Sequence, residues 1–303
     1  MDKIVRFRRE QALKSVRPKG KLGVELGPLN RPIILRSDGD VLYADHLSTE
    51  HLQAKYAAHD VMRPDADRIV DVDLVLEHQD LAEALGQRGP VDYIVASHVI
   101  EHLPDPIRWL QGLASALKAD GILFLVVPDK RFTFDFRRTT STTGDLVAHY
   151  LAGARIASPA QVFEHVARTV NVDPNAIWAG HGREPDDMFD GQLGNALNVA
   201  KDVSLNNSYH DVHCTVYTPY SFIKIFQELI SMGLVEFDII DILPTMKKSH
   251  EFYVTMQKTG VGSQPAMPSD LDMALHHELP TPKSMAAKLR QRFMSRFAAT
   301  LPR

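Results

Sequence analysis

One cysteine, Cys214, in 303 residues excludes an internal disulfide framework and fits a reducing compartment. No apolar run approaches the roughly 18 residues that a membrane span requires. The opening MDKIVRFRREQ also lacks the apolar core of a secretory signal. These absences lead us to expect a cytoplasmic protein with no transmembrane segment. A general basic surplus is missing too, since the net charge is -4, but the charge is segregated. Residues 1–21 hold eight Lys and Arg against two acids, and residues 283–303 hold six and no acid, leaving 20 of the 34 bases against 36 of the 38 acids between them. Nucleic-acid binding needs a basic face, so an acidic body of this kind disfavours it. The basic ends still suit phosphates, lipid or an acidic partner.

What is present is enough for a large core: 44% of residues are hydrophobic and 24% charged, compatible with one large domain or a domain carrying an insertion. The pattern is organised around KLGVELGPLNRP at residues 21–32. There an apolar run ends at Glu25, followed by Gly27 and by Pro28, which a strand interior does not accommodate. This reads as the first strand of an open α/β sheet and the loop at its carboxyl end, where such sheets bind ligands. VLYAD at 41–45 is a second strand ending in an acid, placed to accept hydrogen bonds from a ribose diol. STEHLQAKY at 48–56 opens with helix-capping residues. RIVDVDLV at 68–75 and VDYIVAS at 91–97 are further strands. HVIEHLPDP at 98–106 leads through two prolines into a helix extending to residue 119. ILFLVVPDKRF at 122–132 is apolar throughout, as in a strand buried on both faces. Five strands mostly separated by helices, with right-handed crossovers, predict a doubly wound, mostly parallel sheet.

ELGPLNRP, VLYADHLS, DYIVASHVIEHLPDPIRWL and DGILFLVVPDKRFTFDFRR together resemble class I S-adenosylmethionine-dependent methyltransferases, in particular bacterial methyltransferase-domain proteins with an E-x-G-P-L loop. The likeness covers residues 21–138, and HDVHCTVYTPYSF at 210–222 is similar as well. It implies a Rossmann-like, seven-stranded sheet closing in an antiparallel strand pair, with S-adenosylmethionine as cofactor. By that resemblance Glu25, Gly27 and Pro28 form the loop around the methionine part. Asp45 holds the ribose, Asp73 and Leu74 flank the adenine, and Ser97 and His98 line the methionine side. The second and third glycines of the common loop are absent here, with Leu29 and Arg31 in their region, so the backbone must take another path.

Histidines cluster beyond the fourth and before the last strands: His98 and His102, then His210 and His213. If the methyl acceptor is a hydroxyl, His102, His210 and His213 are the candidate bases, with Asp211 orienting one of them. His98-x-x-Glu101-His102 also matches the H-x-x-E-H pattern of zinc proteases, the basis of an alternative reading as a metal-dependent hydrolase. That pattern needs both histidines on one helix, which Pro104 and Pro106 oppose, and no metal is assigned. A milder version places a divalent ion among Glu101, His102, His210 and His213. A third alternative is a cofactor-binding protein without turnover.

Residues 134–211 break the strand and helix alternation and read as a helical insertion, a lid over the sheet's carboxyl edge that selects the acceptor. The core resumes with a helix capped by Thr218, with Pro219 first inside it, and two strands at 234–244 and 249–258. The organisation expected is therefore a basic arm at 1–20, a methyltransferase domain at 21–258 and a linker with a basic helix at 259–303. Residues 1–18 read either as a short helix with Ile4, Val5, Phe7 and Leu13 as apolar contacts or, the reading preferred here, as a solvated basic arm, and the final helix as one that docks on its own chain or a partner or lies on a membrane surface. The acceptor expected is a small molecule or glycan.

Overall fold

The structure is a computed structural model, and the residues it describes are 3–58, 63–179 and 192–259. In chain order the elements are α1 (Lys3–Val16), β1 (Leu22–Leu26), β2 (Asp40–Asp45), α2 (Thr49–Ala57), β3 (Leu74–Val75), α3 (Leu81–Leu85), β4 (Val91–Ser97), α4 (Pro106–Ala116) and β5 (Leu117–Pro128). Then come α5 (Thr143–Ala152), α6 (Pro159–Arg168), α7 (Pro174–Trp178), α8 (Gln192–Asn206), α9 (Pro219–Ser231), β6 (Phe237–Leu243) and β7 (Glu251–Lys258).

All seven strands join one sheet in the order β3-β2-β1-β4-β5-β7-β6. The first five are mutually parallel, and β7 runs antiparallel between β5 and β6. This is the doubly wound, mostly parallel sheet with a closing antiparallel pair that the sequence predicts. Strand order reverses at β1, which lies between β2 and β4, so the crevice at the carboxyl ends of β1 and β4 is the place the topology provides for a ligand.

Alternation along the strands fills two apolar layers. Val24, Ile94, Leu123, Leu125, Val127 and Val254 point to one face, against Leu110 of α4 and Phe222 and Phe226 of α9. Tyr43, Tyr93, Val95, Phe124, Val126 and Tyr253 point to the other. Tyr93 fixes the residue beside it: a Cβ on Gly23 would lie 2.0 Å from the tyrosine ring, so no larger residue fits there.

The second face is covered by α1, whose Ala12 and Val16 are fully buried against it. The N-terminal segment is thus a docked helix and not the solvated arm expected from its charge. Two of its three arginines are consumed in specific pairs: Arg8 with Glu251 at 2.6 Å, and Arg9 with Asp38 at 2.6 Å. Another departure is at α4, which stops at Ala116 while β5 already begins at Leu117. Asp120, with φ of 60°, lies within the bulged start of that strand.

The insertion before β6 is helical, as predicted. Val162 of α6 and Val203 of α8 meet Val212 and Cys214 in a small apolar cluster of their own. Ser158, with Gln161, caps α6 in a reciprocal box, and Thr218 with Ser221 does the same for α9. No helix among the described residues is long and apolar enough to cross a membrane. The linker and basic helix read beyond residue 259 lie outside the described residues.

Candidate active site

The loop after β1 is held from beneath. Glu25 is 1% exposed, and its two carboxylate oxygens accept the backbone N–H groups of Ile33 at 2.7 Å and Ile34 at 2.8 Å. Burial pushes its pKa up to about 7 even though both amides favour the charged form. The side chain therefore shapes the loop from inside and presents no oxygen to the crevice. Gly27 turns with φ of 63°, and Leu29 follows with φ of 47°. A left-handed leucine takes the place of the glycines that this loop lacks, while Pro28 lies between them at the strand's mouth.

Asp45 ends β2 and is 7% exposed. Its Oδ1 accepts the backbone N–H of His46 at 2.7 Å and meets that ring's Nδ1 at 2.6 Å. Oδ2 makes no hydrogen bond among the described residues. Asp73 does not share this edge. In register it lies one residue before Leu74, which pairs with Ala44, and its carboxylate accepts the Tyr43 N–H at 2.7 Å and Arg36 at 2.8 and 3.0 Å. Leu74 is buried in the core. The acid ties β2 to the Arg36 loop, and the strand's carboxyl end comes at Val75.

Beyond Ser97, the last residue of β4, His98 adopts φ of 55°, a conformation that a side chain rarely takes. The turn throws its ring across the sheet, with Nε2 2.9 Å from Glu251 Oε2 and Nδ1 3.4 Å from Glu101 Oε1. Burial works against its charge, yet the two carboxylates outweigh this and push the pKa to about 9. Glu251, fully buried, is held well below the usual carboxylate range, against its burial, by His98 and by the two-pronged Arg8.

Ile100–His102 form a single 3-10 turn, so His98 and His102 do not share the helix face that a zinc-protease motif requires. His102 instead faces the insertion: Nδ1 lies 2.8 Å from Asp211 Oδ1, and that carboxylate raises the histidine's pKa against the effect of burial. His213 approaches it edge to face, with ring centroids 4.7 Å apart. The Nδ1 of His213 is hydrogen-bonded to Asp135, itself paired with Arg138 at 2.9 Å. His210 does not join them. It turns to Asp202 of α8, 3.1 Å away. A cavity of about 380 Å³ opens beside this group, lined among others by His98 and Pro128 at the ends of β4 and β5, by Phe134 and His213, and by Val170 and Pro174 of the insertion.

The profile of a family described as Methyltransferase domain matches residues 37–229 of this chain. The chain belongs to that family. It is an enzyme of methyl transfer whose cofactor is S-adenosylmethionine. No curated protein matches the sequence. Among solved structures, an O-methyltransferase family 2 protein from Planctomyces limnophilus, in complex with apigenin, is 13% identical; the match spans 83% of this chain and 56% of that one at a TM-score of 0.39. One assigned as an S-adenosylmethionine-dependent methyltransferase from Listeria monocytogenes is 14% identical over 84% of this chain and all of that one, at 0.39. One assigned as a zinc-dependent alcohol dehydrogenase from Rhodobacter sphaeroides is 11% identical over 84% and 90%, at 0.45. Likenesses this remote carry no functional information.

The methyltransferase's own residues fit that cofactor. Gly27, itself without a side chain, turns the backbone at the crevice beside Val99, and Asp45 offers an oxygen at the carboxyl end of β2. Arg8, Asp135, Arg138 and Glu251 escape a reading of the sequence, because the contacts that give them a role span long separations. Arg8 meets Glu251 across 243 residues and His213 meets Asp135 across 78. The charge of Arg8 was visible, and its destination was not.

Proposed function

We propose that this methyltransferase transfers the methyl group of S-adenosylmethionine to a hydroxyl oxygen of a small-molecule or glycan acceptor held in the 380 Å³ cavity. The observation that carries this reading is a pair of carboxylate-backed histidines beyond β4, His102 and His213, whose ring centroids are 4.7 Å apart and of which His213 lines that cavity. An amine or carboxylate acceptor needs no strong base, whereas a hydroxyl must lose its proton, and paired imidazoles suit that demand.

The cofactor supplies a methyl carbon that is already electrophilic. Asp45 would accept the ribose hydroxyls, and the Gly27–Pro28 backbone with Ser97 and His98 would enclose the methionine part. His98, charged and anchored on Glu251, holds the β4 loop in its left-handed turn. His102 and His213 act on the acceptor hydroxyl, whose oxygen forms the new bond to carbon as the carbon–sulfur bond breaks with its electron pair left on sulfur; the hydroxyl proton goes to this pair of side chains. Positioning oxygen in line and excluding water supplies much of the rate enhancement. The helical insertion roofs the cavity and would choose among acceptors.

The test is turnover. The full chain, S-adenosylmethionine and a panel of phenolic, sugar and lipid-linked glycan acceptors should yield S-adenosylhomocysteine and an O-methylated product with at least one acceptor class. Methylation confined to amines would remove the hydroxyl assignment.

A further inference from the structure

The buried carboxylate of Glu101 has a charge partner in His98, whose Nδ1 lies 3.4 Å away, but Glu101 is 1% exposed and neither of its oxygens accepts a hydrogen bond of good geometry. Buried carboxylates are ordinarily paired, hydrogen-bonded or bound to a metal. One donor atom each from Glu101, His102 and His213 lies within 4.8 Å of the other two. The Nδ1 of each histidine is already engaged by a carboxylate, Asp211 for His102 and Asp135 for His213, which leaves Nε2 as the nitrogen with a lone pair to give. This is the outer-shell arrangement typical of metal-bound histidine, in which an acid fixes the tautomer and aims the ring.

We propose that Glu101, His102 and His213 bind a first-row divalent cation of the zinc class, with an open position toward the acceptor cavity that His213 also lines. Two imidazoles and one carboxylate suit such an ion, and three protein ligands with a vacant place are what a substrate-binding centre needs. A second group, His98, His250 and Glu251, has donor atoms equally close. It is closed to a metal, because the carboxylate of Glu251 is already engaged by Arg8, Tyr253 and His98.

The inference rests on the proposed function and refines it: the histidine pair then acts on the acceptor hydroxyl through the cation. An oxygen held there loses its proton more readily; with both imidazoles on the cation, water takes that proton in their place, while the carbon–oxygen bond forms and the carbon–sulfur bond breaks as before.

The experiment uses the untagged full chain, stripped with chelator and titrated with Co2+ alone, followed by visible absorption and by competition with Zn2+. One Co2+ per chain, displaced by Zn2+, is expected. Glu101→Gln keeps size and shape and should weaken binding at least about tenfold, while His250→Ala should bind as the parent does. Circular dichroism confirms that each variant is folded. A folded parent that binds no Co2+ at millimolar concentration overturns the proposal, and so does binding lost in His250→Ala but kept in Glu101→Gln. Titration of the stripped chain with S-adenosylhomocysteine separates the two readings: nucleoside binding without any metal site leaves methyl transfer standing and removes the cation.

Discussion

Glu25 offers a test in which the sign of the effect depends on pH. Its carboxyl has a pKa of about 7 in the folded chain and an ordinary value of 4.5. A carboxyl that is raised on folding binds its proton more tightly in the native state, so it is neutral in native and unfolded chains alike below the lower value, and its ionisation opposes folding increasingly as pH rises from 4.5 toward 7. At ~1.4 kcal/mol per pH unit, the gap corresponds to about 3 kcal/mol above neutrality. Glu25→Gln matches the acid in shape and does not titrate; it keeps an acceptor for only one of the Ile33 and Ile34 amides, a loss that is the same at every pH. Urea denaturation of both proteins at pH 5 and pH 8 should show the stability difference moving in favour of the glutamine variant by up to about 3 kcal/mol from the lower to the higher pH. Taking the difference cancels the other titrating groups common to both chains. A difference that stays constant between the two pH values, or that falls with rising pH, would refute the argument that burial dominates this carboxylate.

Three further outcomes follow from the site. Asp45→Ala should weaken S-adenosylhomocysteine binding by about 1.5–3 kcal/mol for each ribose hydrogen bond lost, measured by calorimetric titration; unchanged affinity in the folded variant would place the ribose elsewhere. His102→Ala should lower kcat by about 100-fold or more while leaving cofactor affinity nearly intact, because its ring points to Asp211 and the insertion rather than to the nucleoside end of the crevice; equal losses in both would make its role structural. Arg8→Ala leaves the fully buried Glu251 to His98 and Tyr253 and should destabilise the chain by about 3 kcal/mol. Adding Glu251→Gln to that variant should recover part of the loss, as urea denaturation would report.

The strands and the crevice were legible in the sequence because local signals coincide there. Val24 through Pro28 combines a strand, a turn and a strand-breaking proline in five residues. Thr218 and Pro219 mark a helix start, and residues 122–128 are apolar enough to specify a central strand. The third strand is only two residues long, where the sequence suggested one over 68–75, and the ties of Asp73 to Tyr43 and Arg36 did not show in it. The charge of α1 suggested a solvated arm because Ala12 and Val16, which bury it, are unremarkable in a sequence, and Arg8 gains its meaning only from a glutamate 243 positions away. The histidines were visible as two clusters, but their division was not: His213 turns to Asp135 and His102, while His210, three residues earlier, turns to Asp202. The path of the chain through the insertion decides that.

The measurement that bears most directly on the account is calorimetric titration of the full chain with S-adenosylhomocysteine, run beside Asp45→Ala. The account predicts one site per chain in the micromolar range, with the variant weakened at least about tenfold. A folded parent that takes up no S-adenosylhomocysteine at millimolar concentration would contradict it.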